Sequence, residues 1–406
     1  VWNHTMATDS TGQTFYADAT LVPNLSDAGE AAFRALVESD AVSFTKLAFN
    51  AGVVAVDGSD PLFSIDVDES ATFPGMIPFS EAPQLLRRDF VANANDSYWL
   101  SNPAEPLTNR SLRYGNSESP RTLRTRLGLI QVMESSDWDR VGIENLLFAN
   151  RSLTNDMWRN AFTSYCVQFA VADSSDGQQV NIEQACSVLS NWDGRYDLES
   201  HGAILFRELM STVDSKGLID GNAYFTEAFD VLSPVATPSG LSSEGQAALL
   251  TQLADAVLRL EQIGIPLDAP LGEYQFTLKG DEKIAIHGGL QTADGAFNIM
   301  KYEDYENLNT TLLPDIPRSE VVNENTNLTT DGYLINYGGS FMMAVEFTED
   351  GPVADALLGY SQSDDPDSPH FADQTYLYSN KTWRPLPFSR AQIEADPTLT
   401  SQRVEN

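Results

Sequence analysis

The amino-acid sequence predicts an α+β protein on three observations. Turn and strand chemistry opens the chain, the middle is patterned as helix, and the last third returns to alternation of period two. No internal repeat or low-complexity tract interrupts this order, and no boundary has the composition of a flexible linker.

In chain order, residues 8–24 read as a turn, TDSTGQ, followed by a strand, TFYADATLVPN. Residues 25–85 are rich in Asp, Pro and Ser with short apolar runs, which predicts loops with little regular structure. Residues 87–115 are dense in Asn, Ser and Pro and predict loops wrapped around a few apolar anchors. Residues 120–265 are patterned mostly as helix. The clearest helix follows Ser243, which has capping-box spacing to Gln246. Leu250, Leu253, Val257, Leu258 and Leu260 then fall mainly on one face, and Gly264 and Pro266 end the helix. In the last third, GGSFMMAVEFTEDG places Phe341, Met343, Val345 and Phe347 on one face of a strand. Met342, Ala344 and Glu346 take the other. Both faces are largely apolar, so the strand is expected to be central and covered on both sides.

A chain of 406 residues suits one large domain or two to three small ones, and its 42% apolar content is enough for a sizeable core. Asp and Glu outnumber Lys and Arg by 58 to 24, a net charge of −34. Phosphate binding needs clustered cations, so the balance excludes a nucleic-acid partner, and it equally excludes an anionic membrane surface. The acids are dispersed, as on a solvated, self-repelling surface. No stretch approaches the roughly 20 apolar residues that span a bilayer. The first residues, VWNHTMATDS, have neither a basic region nor an apolar one of the signal-peptide kind. The chain therefore reads as a processed or truncated product, any signal lying upstream. Cys166 and Cys186 flank a polar loop. They could form a bridge contributing about 3 kcal/mol in the chain-entropy model, or remain two buried thiols.

The usual catalytic and metal-binding patterns are absent. The four histidines, His4, His201, His287 and His370, have no zinc-protease spacing. Asp66, Asp68 and Ser70 open like a calcium loop but lack its Gly and closing Glu, and Asp364, Asp365 and Asp367 have the Pro and Ser neighbours of a tight turn. There is no phosphate-binding or dinucleotide glycine pattern, and Gly338-Gly339-Ser340-Phe341-Met342 lacks the second glycine of a nucleophile elbow. Eight N-x-S/T sequons matter only in a eukaryotic secretory host. Pattern alone reaches a soluble, extracytoplasmic α+β protein and no nucleophile–base pair.

Five segments, in order, carry a resemblance. They are LLRRDFVANANDSYWLSNPAEPL (85–107), SPRTLR (119–124), CSVLSNWDGRYDLESHGAILF (186–206), GGSFMMAVEFTEDGP (338–352) and YSQSDDPDSPHFADQTYLYSNKTWRPLPFS (360–389). Together they resemble the C-terminal part of the large subunit of the penicillin acylase (penicillin amidase) family of N-terminal-nucleophile hydrolases. Within that family the likeness is to the acyl-homoserine-lactone acylase and related long-chain branch. The resemblance implies a partial αββα fold with a helical excursion. Residues 1–119 would supply part of the sheet core and active-site loops, 120–265 the helical region, and 266–406 the C-terminal strands completing the core. It also implies a disulfide between Cys166 and Cys186, which fits a periplasmic or secreted protein.

The family's chemistry is release of an acyl chain from an amide. An N-terminal Ser attacks, using its own α-amino group as base. The resemblance assigns Asn95 as the oxyanion donor, Arg121 as the residue that holds and polarises the site, and Trp2 as a wall of the acyl pocket. It departs at Asn3-His4-Thr5, where the branch reads Val-Asn-Thr. Val1 is no nucleophile. The expected partners are a small-molecule acyl amide and the small subunit and missing front of the same precursor. No cofactor is required; some members bind calcium, but the resemblance places most of those ligands outside this sequence. The competing expectation is a truncated, non-catalytic secreted binding module.

Overall fold

The computed structural model describes residues 3–213, 215–221, 223–303, 318–397 and 399–403. Val1–Ser119 and Pro120–Asn406 form two compact units.

The first unit begins with a hairpin, β1 (His4–Thr8) and β2 (Thr14–Asp18). Its turn is set by Asp9, whose carboxylate accepts the Thr11 and Gln13 amides, so the turn and the strand after it lie where the sequence places them. Two helices follow, α1 (Asp27–Glu38) and α2 (Phe44–Asn50), where loops are expected. Ser26 and Ser43 cap them through the Gly29 and Lys46 amides. Only Gly29 and Phe33 of α1 are buried, too thin a stripe to stand out among Asp and Ser. Strand β3 (Gln84–Arg87) then pairs with β2, giving the order β1-β2-β3. From there to Ser119 the unit has only short 3₁₀ turns hung on buried Tyr98, Trp99, Leu100, Leu112 and Tyr114, in agreement with the loop chemistry of 87–115.

The second unit is helical to residue 263. It contains α3 (Leu123–Met133), α4 (Arg140–Leu147), α5 (Leu153–Cys166), a small hairpin of β4 (Val171–Asp173) and β5 (Gln179–Asn181), α6 (Glu183–Asn191), α7 (Ala203–Met210), α8 (Ser215–Asp220) and α9 (Ser243–Ile263). The cap of α9 is Ser242, not Ser243: its hydroxyl accepts the Gly245 amide, so the capping box with Gln246 does not form. Leu250, Leu253, Val257 and Leu260 of α9 enter the main core with Trp158, Phe162, Trp192 and Leu205, each aliphatic side chain contributing about 1.5–3 kcal/mol. Leu258 is only partly buried. Gly264 stops the helix at φ 74°, a left-handed backbone that side chains resist. Cys166 and Cys186 are joined as a disulfide, tying the end of α5 to α6.

The strands come last. After α10 (Leu271–Tyr274) are β6 (Gln275–Lys279), β7 (Glu282–Ala285), β8 (Met300–Lys301), β9 (Val321–Asn323), β10 (Leu328–Thr329), β11 (Gly332–Leu334), β12 (Tyr337–Gly338), β13 (Phe341–Thr348) and β14 (Gly351–Leu358). Then follow α11 (Asp373–Ser379), β15 (Arg384–Leu386) and α12 (Arg390–Ala395). They form a five-stranded sheet, β7-β6-β11-β10-β9, a pair, β12-β8, and a three-stranded sheet, β13-β14-β15. The class is α+β, with the predicted helical excursion between strand regions. The strand over 341–348 is present, but among the described residues it lies at the edge of its sheet. Among the described residues β13 pairs with β14 alone, and Phe341, Met343 and Phe347 are exposed.

Candidate active site

Asn95 sits on a loop of the first unit that is pinned at its neck and along its length. Arg87, at the end of β3, grips Asp89 with two bonds of 2.9 and 2.7 Å and reaches Glu105 at 2.6 Å. That guanidinium holds the Asp89 carboxyl well below the usual carboxylate range. Within the neck, the Ala92 amide donates to the Ser101 carbonyl at 2.8 Å and the Asn102 side chain to the Phe90 carbonyl at 2.9 Å. The Leu107 amide reaches the Trp99 carbonyl at 2.9 Å. The tip is a turn closed by the Asn93 side-chain amide on the Asp96 carbonyl at 2.8 Å. Inside that turn Asn95 is exposed and takes φ 56°, the left-handed conformation that Asn tolerates better than most residues. The loop therefore spends the amides of Asn93 and Asn102 on its own backbone and presents Asn95 from a braced turn. Bracing of this kind is what an electrostatic donor needs in order to act without reorganising.

Arg121 belongs to the second unit. It lies directly before Thr122, whose hydroxyl caps α3 by accepting the Thr125 amide at 3.2 Å. Its side chain is buried, with 5% exposure. Trp2 lies outside the described residues.

The four histidines are all engaged, and the ring partners of His201, His287 and His370 are carbonyl, amide or carboxylate groups. His201 bonds the Asp268 carbonyl and His370 the Asp373 carboxylate. His287 is fully buried. Its Nδ1 accepts from the Asn150 amide at 2.9 Å and its Nε2 donates to the Tyr378 carbonyl at 2.8 Å, which fixes the neutral tautomer. Burial, with the nearby Lys381 charge, pushes this imidazole down to about 4. Asn150 carries one of the eight sequons but is buried in this network, which is no place for a glycan.

His4 is the group that motif spacing missed. The hairpin register sets it opposite Asp18, and its Nδ1 lies 2.7 Å from the Tyr16 hydroxyl and 4.0 Å from Asp18 Oδ2. Asp18 is fully buried. One of its oxygens accepts the Thr20 amide at 3.0 Å, and the other has no hydrogen bond among the described residues. Burial drives the Tyr16 phenol far above its ordinary range, opposed by the neighbouring Ser101 side chain and assisted by the Asp18 charge. Alternation of residues 4, 6, 8 against 14, 16, 18 around the Asp9 turn is the signal that could have placed these three together.

The acidic clusters spend their carboxylates on local turns. Asp68 accepts the Ser70 hydroxyl and amide, which lowers its pKa, and Asp365 accepts the Asp367 amide at 3.0 Å. Among the described residues no group of three His, Cys, Asp or Glu side chains converges as a metal site, and no helix is long and apolar enough to cross a membrane.

Over residues 1–395 the chain matches the family model described as Penicillin amidase. It is 32% identical to aculeacin-A acylase of Actinoplanes utahensis, across 99% of this chain and 47% of that protein. It is 31% identical to acyl-homoserine lactone acylase PvdQ of Pseudomonas syringae pv. syringae, again across 99% of this chain and 47% of that protein. The chain thus spans about half the length of the curated relatives it matches. Among solved structures it is similar to a thermostable penicillin G acylase from Alcaligenes faecalis, with a TM-score of 0.46 and 15% identity, covering 99% of this chain and 67% of that one.

Proposed function

The chain belongs to the penicillin amidase family, and from that premise we propose that the protein containing it is an amidohydrolase releasing an acyl chain from a linear amide. The observation that carries this is the braced loop that presents Asn95 at φ 56°, in a family whose matched relatives are named acylases.

In this reading a serine hydroxyl, supplied by a part of the protein outside these 406 residues, adds to the amide carbon. The carbonyl oxygen becomes negative, and the Asn95 side-chain amide donates to it. Arg121 supplies the fixed positive charge that holds the site. The C–N bond breaks, the amine leaves with a proton, and an acyl-ester remains. Water then adds its OH to the acyl carbon and returns a proton to the serine. Trp2 forms part of the acyl wall, where each buried CH₂ contributes about 0.8 kcal/mol to binding. N-acyl-homoserine lactone is the first substrate choice, with lipopeptide and β-lactam amides next. The other partners are the small subunit and the preceding part of the same precursor. The Cys166–Cys186 bridge supports a periplasmic or secreted location.

The test uses the whole gene product purified from its native host. It is incubated with N-acyl-homoserine lactones of graded chain length, a fatty-acyl lipopeptide and penicillin G. Equimolar release of free acid and free amine, followed by mass spectrometry, is the expected result. No acid from any of them would overturn the assignment in favour of a non-catalytic binding module.

A further inference from the structure

Tyr16 ties the opening hairpin to the loop that presents Asn95. Strand β2 carries it at the register position between Met6 of β1 and Leu85 of β3, and β3 runs into the loop at Arg87. Its side chain is fully buried in a small apolar cluster with Val22, Ala82, Leu85, Tyr98 and Tyr114. Val91, on the incoming arm of the loop, and Leu107, on the outgoing arm, pack partly buried against the same cluster, and Tyr98 belongs to the loop itself. Both arms of the loop therefore rest on the core that Tyr16 occupies.

Phenylalanine would serve the packing alone; the hydroxyl adds polar contacts, and a buried hydroxyl is costly unless it is hydrogen-bonded. The Tyr16 oxygen lies 2.7 Å from His4 Nδ1, and the two rings stack with centroids 5.9 Å apart. The Ser101 side chain neighbours the same phenol. Ser101 is itself buried and closes the loop twice. Its hydroxyl donates to the Tyr98 carbonyl at 2.7 Å, and its carbonyl accepts the Ala92 amide at 2.8 Å. Ala92 stands three positions before Asn95. A path thus runs from His4 through Tyr16 and Ser101 to Ala92, on the buried side of the neck. The Arg87 ion pairs brace the same loop at the surface, where solvent screens them.

We propose that Tyr16 is a positioning residue for the amide hydrolysis: its hydroxyl, oriented by His4, fixes Ser101 and, through Ser101, the neck from which Asn95 is presented. The inference rests on the reading of Asn95 as the oxyanion donor. Tyr16 is fully buried and acts through the loop, not on the substrate. A group misplaced by about 1 Å can cost about 10²-fold in rate, so loosening the neck falls on kcat. Substrate binding, which an oxyanion donor supplies little of, should scarcely change.

The test is a double-mutant cycle of Tyr16→Phe and Asn95→Gly in the whole gene product, read as acid release from the acyl amide that the parent cleaves. Tyr16→Phe keeps the ring and removes the oxygen. Alone it should lose about 10- to 10²-fold in kcat, with KM within about twofold of the parent. In the Asn95→Gly background it should lose less than about twofold, because the residue through which it acts is gone. The Ala92 amide should exchange about tenfold faster in Tyr16→Phe than in the parent. A parental kcat or an unchanged Ala92 exchange in Tyr16→Phe would overturn the proposal. So would an equal loss of kcat in both backgrounds, which marks a general structural defect. A parental kcat in Asn95→Gly would instead remove the oxyanion reading, and the proposal with it. If urea unfolding shows that Tyr16→Phe does not fold, His4→Ala takes its place in the cycle, with the same outcomes for and against; it removes the partner of the hydroxyl from a partly exposed strand end.

Discussion

Replacing Asn95 separates two quantities that a simple truncation would mix. At φ 56°, an alanine pays the left-handed backbone cost of about 1–2 kcal/mol, which asparagine pays less of and glycine does not pay at all. The side-chain amide, if it faces the oxyanion, is worth about 2.7–4 kcal/mol of barrier, or about 10²–10³ in kcat. The two effects fall on different observables, and the catalytic one is larger. Asn95→Gly in the whole gene product should therefore keep the left-handed turn without its backbone cost and lose about 10²–10³ in kcat, with KM nearly unchanged, because the donor acts chiefly on the charge of the transition state. Asn95→Ala should lose the same kcat and, in addition, about 1 kcal/mol of stability. The assay is acid release at saturating acyl amide, with a urea unfolding curve on each variant. An Asn95→Gly protein that keeps kcat within about threefold of the parent would refute the oxyanion role, since no folding defect would be available to hide behind.

Three further outcomes are open to measurement. His287 is held neutral by burial, with its pKa lowered to about 4 against about 6.5 in the unfolded chain, so its contribution is complete above pH 6.5 and is lost as pH falls toward 4. The stability advantage of the parent over His287→Gln should accordingly shrink by up to about 3 kcal/mol between pH 7.5 and 4.5; a gap that is constant with pH would contradict it. Reducing the Cys166–Cys186 bridge, which closes a separation of 20 residues, should cost about 3 kcal/mol in urea unfolding, and identical midpoints with and without reductant would count against it. Arg207 and Asp294 form a buried ion pair, with an Nε hydrogen bond of 2.9 Å and an Nη2–carboxylate distance of 2.8 Å, so Asp294→Ala should destabilise by about 3–5 kcal/mol, while Arg207→Met with Asp294→Leu should recover most of that loss; a double variant as unstable as the single would show that the pair itself, not the orphaned charge, sets the cost.

What the sequence disclosed depended on whether the signal was local. Helix α9 was legible because its apolar stripe, its glycine stop and its serine start all lie within one window. Even so, two adjacent serines left the cap one residue ambiguous, and the Gly245 amide selects Ser242. Helices α1 and α2 were hidden because their burial is slight and their caps look like loop composition. The His4–Tyr16–Asp18 cluster requires the hairpin register, and the His287 network joins residues as far apart as Asn150 and Tyr378, which no spacing rule reaches. Asn95 was visible only through family resemblance. The residues around it say turn, and a turn asparagine has no chemical signature of its own until its neighbours are seen to be committed to the backbone.

Strand β13 shows the limit from the other side. Alternation establishes that a strand has two faces and what composition each has, but it cannot say what lies against them. Apolar residues on both faces implied a central strand. Within these residues the strand is an edge, with α4 on one side and nothing described on the other. Composition along one strand cannot separate these cases, because alternation records which side chains share a face and not which neighbours they meet.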